Sequence, residues 1–251
     1  MNIIKSSTHM KLNTNETSAL ETECLFGEKV DILDHYLDWV YCELTTDNYT
    51  GWIHKSSLGK SIETTHRVIN KRTFIYKDPN PKSEILLYIP MGSRLAIKNI
   101  KPGWAKTSLI IEDKTHIGYV PRGHFVNIKH KVKDWVAMAQ QLNGTPYKWG
   151  GRDTVGIDCS ALLQLSYQTY GETLPRNTSQ QIKLNKKKVN IINDLKRGCV
   201  VFWEGHVGIM TDSINCIHAN AYHMKTTTEP LIDIIDRMDK NLKIKKMMDF
   251  N

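Results

Sequence analysis

The chain has 251 residues, 40% apolar and 24% charged, a composition that excludes a disordered or low-complexity protein. No run approaches ~18 consecutive apolar residues, so neither a membrane-spanning helix nor membrane insertion is predicted. The net charge is +8, but the basic residues are scattered and the densest run, Lys186–Lys188, reads as a solvated loop. That excludes nucleic acid as the expected partner and leaves a surface suited to attracting acidic ligands.

Along the chain, the N-terminus has no apolar segment of signal-peptide length. A cytoplasmic location is therefore expected, or a periplasmic or secreted one had a leader been removed. Next comes an internal repeat. CLFGEKVDIL, DWVYCEL and YTGWIHKSSL are echoed by YIPMGSRLAIK, GWAKTSL and IGYVPRGHF, and Gly27 to Trp39 and Gly92 to Trp104 are both 12 residues apart. Short alternating runs broken by Gly, Asn and Asp predict half-buried antiparallel strands. Val30, Ile32 and Val40 are placed in one core and Leu95, Ile97 and Ala105 in another. Two small β-barrels follow, over 1–60 and 61–130, and the third domain, 131–251, differs in character.

In that third domain KVKDWVAMAQQLNG predicts a helix with Val132, Trp135, Val136 and Ala139 on one face, stopped at Gly144. A glycine-rich loop leads to a second helix over CSALLQLSYQTYG, with Asp158 as N-cap and Gly171 as stop. The runs 199–203, 206–210 and 216–220 read as antiparallel strands, so helices precede strands in an α+β arrangement.

Five cysteines, Cys24, Cys42, Cys159, Cys199 and Cys216, show no C-x-x-C spacing and read as free thiols. Cys159 alone stands at a predicted helix start, where unpaired N–H groups stabilise a thiolate; the other four read as small core hydrophobes. Asp158 beside it raises the thiol pKa, so a positive partner is called for. His206 opens an apolar strand, and His218, 12 residues on, is suitably spaced for a hairpin that brings the two imidazoles together. A Cys–His–His set results, with His223 and Asn220 as rivals for the third place. Neither a metal nor any other cofactor is called for: no H-E-x-x-H or paired-cysteine site exists.

Several motifs carry a family resemblance. Tyr147-x-Trp149-Gly150-Gly151, Asp158-Cys159-Ser160, Leu174-Pro175-Arg176-x-x-Ser179-Gln180, Gly198-x-Val200-Val201-Phe202, Gly205-His206-Val207-Gly208-Ile209 and Ile217-His218-Ala219 together resemble the NlpC family of papain-like cell-wall cysteine endopeptidases. The repeats resemble bacterial SH3-like domains. The expected fold is therefore two small all-β SH3-like barrels followed by an α+β papain-like cysteine peptidase domain. One departure is Cys199, where the family usually has Asp; that position is expected to shape a turn.

The resemblance implies Cys159 as nucleophile, His206 as base, His218 as its orienting partner, and Tyr147 as an aid to the oxyanion, with Trp149 near the substrate. The three-domain order is similar to the bacterial γ-D-glutamyl-L-diamino acid endopeptidases. From them Asp158, Ser160 and Tyr49 inherit contacts to a substrate with a free N-terminal L-Ala. The glutamate such enzymes carry early in the first barrel falls on Ala19, with Glu21 and Glu23 two and four residues further on. The implied partners are peptidoglycan-derived peptides, handled by a monomer. The alternatives are a cell-wall-binding protein, or an amidase or acyltransferase on the same fold.

Overall fold

The period-two alternation of the first repeat becomes a five-stranded antiparallel sheet. In the computed structural model, which describes residues 1–111, 114–238 and 243–251, its strands are β1 (Ser7–Lys11), β2 (Leu20–Leu25), β3 (Val30–Tyr36), β4 (Trp39–Leu44) and β5 (Thr50–His54), in the order β2-β1-β5-β4-β3. One face of each strand closes a small core of Ile3, Met10, Cys24, Val30, Val40, Cys42, Leu44, Ile53 and Leu58, with Ile32 and Tyr49 against it.

The second repeat gives β6 (His66–Val68), β7 (Arg72–Tyr76), β8 (Ile85–Pro90), β9 (Arg94–Ile100), β10 (Trp104–Ile111), β11 (Lys114–Pro121) and β12 (Phe125–Asn127) in the order β8-β7-β11-β10-β9-β6-β12. Its core gathers Val68, Ile75, Ile89, Leu95, Ala105, Leu109 and Val120, with Ile97 partly buried beside them. The repeated glycines have one cause. Gly27 and Gly92 turn the chain just before β3 and β9 at φ +76° and +91°, a region costly for residues with a Cβ.

By contact the chain divides into two units: Met1–His130 with Arg152–Thr154, and Lys131–Gly151 with Val155–Asn251. Both sheets described so far lie in the first, and so do Arg152–Thr154, although they fall within the span 131–251 expected for the third domain. In that unit the buried Arg152 guanidinium makes two bonds of 3.0 Å to the Glu28 carboxylate and one of 2.8 Å to the Glu23 carbonyl.

The second unit holds helices α1 (Trp135–Gln141), α2 (Cys159–Gln168), α3 (Thr178–Gln181) and α4 (Leu231–Arg237). Its sheet comprises β13 (Lys187–Val189), β14 (Cys199–Trp203), β15 (His206–Met210), β16 (Asn215–Asn220), β17 (Lys225–Pro230) and β18 (Lys246–Asp249), in the order β13-β18-β14-β15-β16-β17. Helix α1 starts later than the pattern suggests. Asp134 accepts the Ala137 N–H as N-cap, which leaves Val132 outside the helix, where its N–H bonds the Thr169 carbonyl at 3.0 Å.

All ten residues of α2 are buried; the helix lies against β15 and β16. Trp135, Tyr167 and Phe250 meet edge to face at 5.0 and 5.1 Å, contacts worth about 0.5–1.5 kcal/mol each beyond burial. Cys199 and Cys216 join Val201, Trp203 and Met210 in a core cluster, so the departure at position 199 fills space. No helix among the described residues is long and apolar enough to cross a membrane.

Candidate active site

The first residue of α2 is Cys159, because Asp158 stops the extended chain and caps the helix: its Oδ1 accepts the Ala161 N–H at 2.8 Å. The sulfur therefore sits where the first turn has unpaired N–H groups. It receives the Ser160 and Val207 backbone N–H groups, and its S–H points at the Gly205 carbonyl, 3.9 Å away. The thiol is thus held against both residues that flank His206. Burial, with Asp158 next, nevertheless pushes the thiol up to about 12. The helix end does not outweigh desolvation, and the resting form is the neutral thiol.

His206 and His218 come together by register. Ile209 pairs with Ile217 and Met210 with Cys216, which sets the two histidines on one face of the β15–β16 hairpin, diagonal to each other. His206 Nε2 lies 2.8 Å from His218 Nδ1. Gly208 stands between them in the pattern, and a Cβ there would come within 2.4 Å of the Cys216 sulfur. The small residue lets the two strands approach without that clash. Burial, and then the neighbouring His218, pull His206 down to about 3, so this imidazole is neutral.

The rivals for the third place surround His218. Asn220 Nδ2 is 3.1 Å from His218 Nε2, and His223 Nε2 is 3.2 Å from Glu229 Oε1. Glu229, on β17, was not singled out by the sequence; its Oε1 lies 2.8 Å from His218 Nε2. It in turn takes two bonds from Arg237 of α4, at 2.6 and 2.9 Å. No local motif marks Glu229; the only clue is a carboxylate on the strand after His218.

Asp158 is buried and already partnered. Arg176 grips it through both guanidinium nitrogens, at 3.0 and 2.6 Å, the Gly150 N–H adds 3.0 Å, and the Ser160 hydroxyl donates to the same carboxylate at 3.0 Å. Ser160 Oγ also accepts from Arg176 at 2.7 Å. The P-R motif of residues 175–176 thus builds the floor of the α2 start. Tyr147 is half-buried, and burial, followed by Cys159 and Asp158, raises its phenol to about 12, so it stays a hydrogen-bond donor. Trp149 is 71% exposed on the glycine-rich loop. In the first unit, the Tyr49 hydroxyl donates to Glu21 Oε2 at 2.8 Å. Glu21 stands two positions after Ala19, where the resemblance places an acidic residue. Among the described residues no group of three or more His, Cys, Asp or Glu side chains is disposed to hold a metal ion.

This arrangement holds a thiol against the backbone on either side of a paired histidine, the two groups that thiol-dependent acyl transfer uses. Comparison with known proteins gives it a family. Residues 144–248 match the NlpC/P60 family, and residues 13–58 match the bacterial dipeptidyl-peptidase SH3 domain. The chain is 26% identical over 224 residues to a γ-D-glutamyl-L-lysine dipeptidyl-peptidase of Bacillus subtilis, covering 80% of this chain and 73% of that protein. It is 25% identical over 223 residues to dipeptidyl-peptidase 6 of Lysinibacillus sphaericus, covering 80% of each. The fold matches the crystal structure of an NlpC/P60 family protein from Bacillus cereus with a TM-score of 0.83 at 17% identity, over 99% of this chain and 98% of that one. The chain thus carries an NlpC/P60 cysteine peptidase domain behind a bacterial dipeptidyl-peptidase SH3 domain.

Proposed function

We propose that the protein hydrolyses the γ-D-glutamyl–diamino acid bond of peptidoglycan-derived peptides that carry a free N-terminal L-Ala. The carrying observation is the Cys159 thiol pinned against Gly205 and Val207, with His206 between them tied to His218. The names of the relatives, γ-D-glutamyl-L-lysine dipeptidyl-peptidase and dipeptidyl-peptidase 6, support the choice of bond.

Nucleophile and base begin neutral. His206 takes the thiol proton as the sulfur attacks the γ-carbonyl carbon, and the carbonyl π-electrons move to oxygen. The Cys159 N–H and the Tyr147 hydroxyl are the donors assigned to that oxyanion. His206, now an imidazolium, gives its proton to the departing amine as the C–N bond breaks. A thioester remains. Water, losing a proton to His206, attacks it; the C–S bond breaks, the acid is released and the thiol regains its proton. Ser160 and Asp158 are assigned to the amino end of the substrate. Arg176 already balances the Asp158 charge, so Asp158 alone discriminates weakly for an ammonium. Tyr49, with Glu21 on its hydroxyl, is assigned the rest of that recognition, and Trp149 the exposed flank.

The test is release of L-Ala-γ-D-Glu from the tripeptide, followed by chromatography. Cys159→Ala should lower kcat by about 10⁴-fold or more, and acetylating the substrate amine should abolish cleavage by the intact enzyme. Undiminished release by Cys159→Ala refutes the nucleophile. Equal cleavage of blocked and free peptides refutes the free-amine rule and points to a broader amidase or acyltransferase; retention on insoluble peptidoglycan without cleavage points to a binding protein.

A further inference from the structure

We propose that Glu229 is a positioning residue: held by Arg237, it fixes the tautomer of His218 and, through His218, that of His206. The proposal deepens the reading above, since it rests on Cys159 and His206 being nucleophile and base.

Glu229 accepts two guanidinium bonds from Arg237, and Arg237 is itself stacked 4.3 Å from the Tyr222 ring centroid. A carboxylate in such a fork is ionised and only accepts. His218 Nε2, 2.8 Å away, must therefore carry a hydrogen. His218 is buried, which keeps the ring neutral, so its Nδ1 is a lone pair. That lone pair faces His206 Nε2 at 2.8 Å and accepts a hydrogen from it. His206 is then left with a bare Nδ1, the state a base needs to remove the thiol proton.

A second neighbour asks for the opposite pattern. Asn220 Nδ2 is 3.1 Å from His218 Nε2 and can only donate. Its orientation is set, because Asn220 Oδ1 accepts the His223 N–H at 2.8 Å. Were Asn220 to prevail, His218 Nε2 would become the lone pair and Nδ1 would carry the hydrogen. His206 Nε2 would then be the acceptor and its own hydrogen would move to Nδ1, where it blocks proton abstraction. Glu229 decides between the two patterns because it is charged and Asn220 is not. His223 also approaches Glu229, at 3.2 Å, and adds a third donor to the same oxygen.

The experiment is imidazole ¹⁵N NMR of histidine-labelled full-length protein, paired with tripeptide kinetics. The wild type should show protonated Nε2 and bare Nδ1 on both His206 and His218. Glu229→Leu should move the His218 hydrogen to Nδ1 and lower kcat by up to about 10⁴-fold, the loss seen when a catalytic histidine is held in the wrong tautomer, with KM changed less than about threefold. Glu229→Gln retains an acceptor oxygen and should keep the wild-type ring pattern and recover most of that loss. Adding Asn220→Ala to Glu229→Leu removes the competing donor and should regain activity over Glu229→Leu alone.

A wild-type His218 protonated on Nδ1 overturns the proposal. So does a Glu229→Leu protein that loses activity with its ring nitrogens unchanged. Should Glu229→Leu not fold, the wild-type pattern and the Glu229→Gln kinetics still decide. Ring patterns as stated in a protein that leaves the tripeptide intact would refute the substrate and leave the tautomer relay standing.

Discussion

Cys159, the proposed nucleophile, has surroundings that favour its proton-bound form. A thiol held up to about 12 and an imidazole held down to about 3 do not form a resting ion pair, so the proton moves during attack. The consequence is kinetic. Between about pH 5 and 9 neither group changes charge, and kcat/KM should show no inflection from either one. A rise centred near pH 6.5 in kcat/KM, measured on a substrate with no group titrating there, would refute the neutral pair. The sequence made Cys159, His206 and His218 legible because each stands in a short local pattern: a cap, a glycine-flanked strand start, a hairpin spacing. It could not weigh burial against the helix end, since burial is set by β15 and β16 closing over α2. Glu229 stayed hidden for the same reason: its significance comes from strand pairing and from Arg237, not from its neighbours in sequence.

At the scale of elements, the start of α2 is held by a buried ion pair. Asp158 caps the helix and meets a guanidinium that is itself buried. Breaking such a pair strands a charge and costs about 3–5 kcal/mol. Asp158→Asn should therefore lower the melting temperature by roughly 6–20 °C, followed by circular dichroism. A change under about 2 °C would mean Arg176 finds another partner. Helix α2 and its cap were readable from D-C-S and the apolar run behind it. The late start of α1 was not, because Val132 satisfies its N–H on the Thr169 carbonyl at the far end of α2, a tertiary choice that periodicity cannot encode. In the barrels, the alternation named the core residues correctly, with Val30, Val40, Leu95 and Ala105 buried and Ile32 and Ile97 only partly so.

Over the whole molecule, several depressed pKa values set the acid edge of stability, and those of His206 and Glu229 are strongly lowered. His206 has its folded value near 3, below its ordinary 6.5, so between those values the unfolded chain binds more protons than the folded one. Stability present above pH 6.5 is lost as pH falls toward 3. Glu229 is lowered from 4.5 to about 2 by Arg237, His218 and His223, against the effect of burial, and adds a loss between pH 4.5 and 2. Urea midpoints should thus decline steadily on acidification from pH 6.5, and His206→Asn should flatten the portion above pH 4.5. An unchanged slope in that variant would place the acid sensitivity elsewhere.

Arg152, Asp153 and Thr154 leave the sequence span of the catalytic unit and count with the other one. A gene cut after His130 therefore yields two faulty pieces. The upstream fragment keeps a buried Glu28 carboxylate without the guanidinium that grips both its oxygens, and the downstream fragment displays that guanidinium without its carboxylate. The polypeptide is spliced across its own subdivision, so duplication, shuffling or truncation at the evident linker carries a penalty that the linear order conceals.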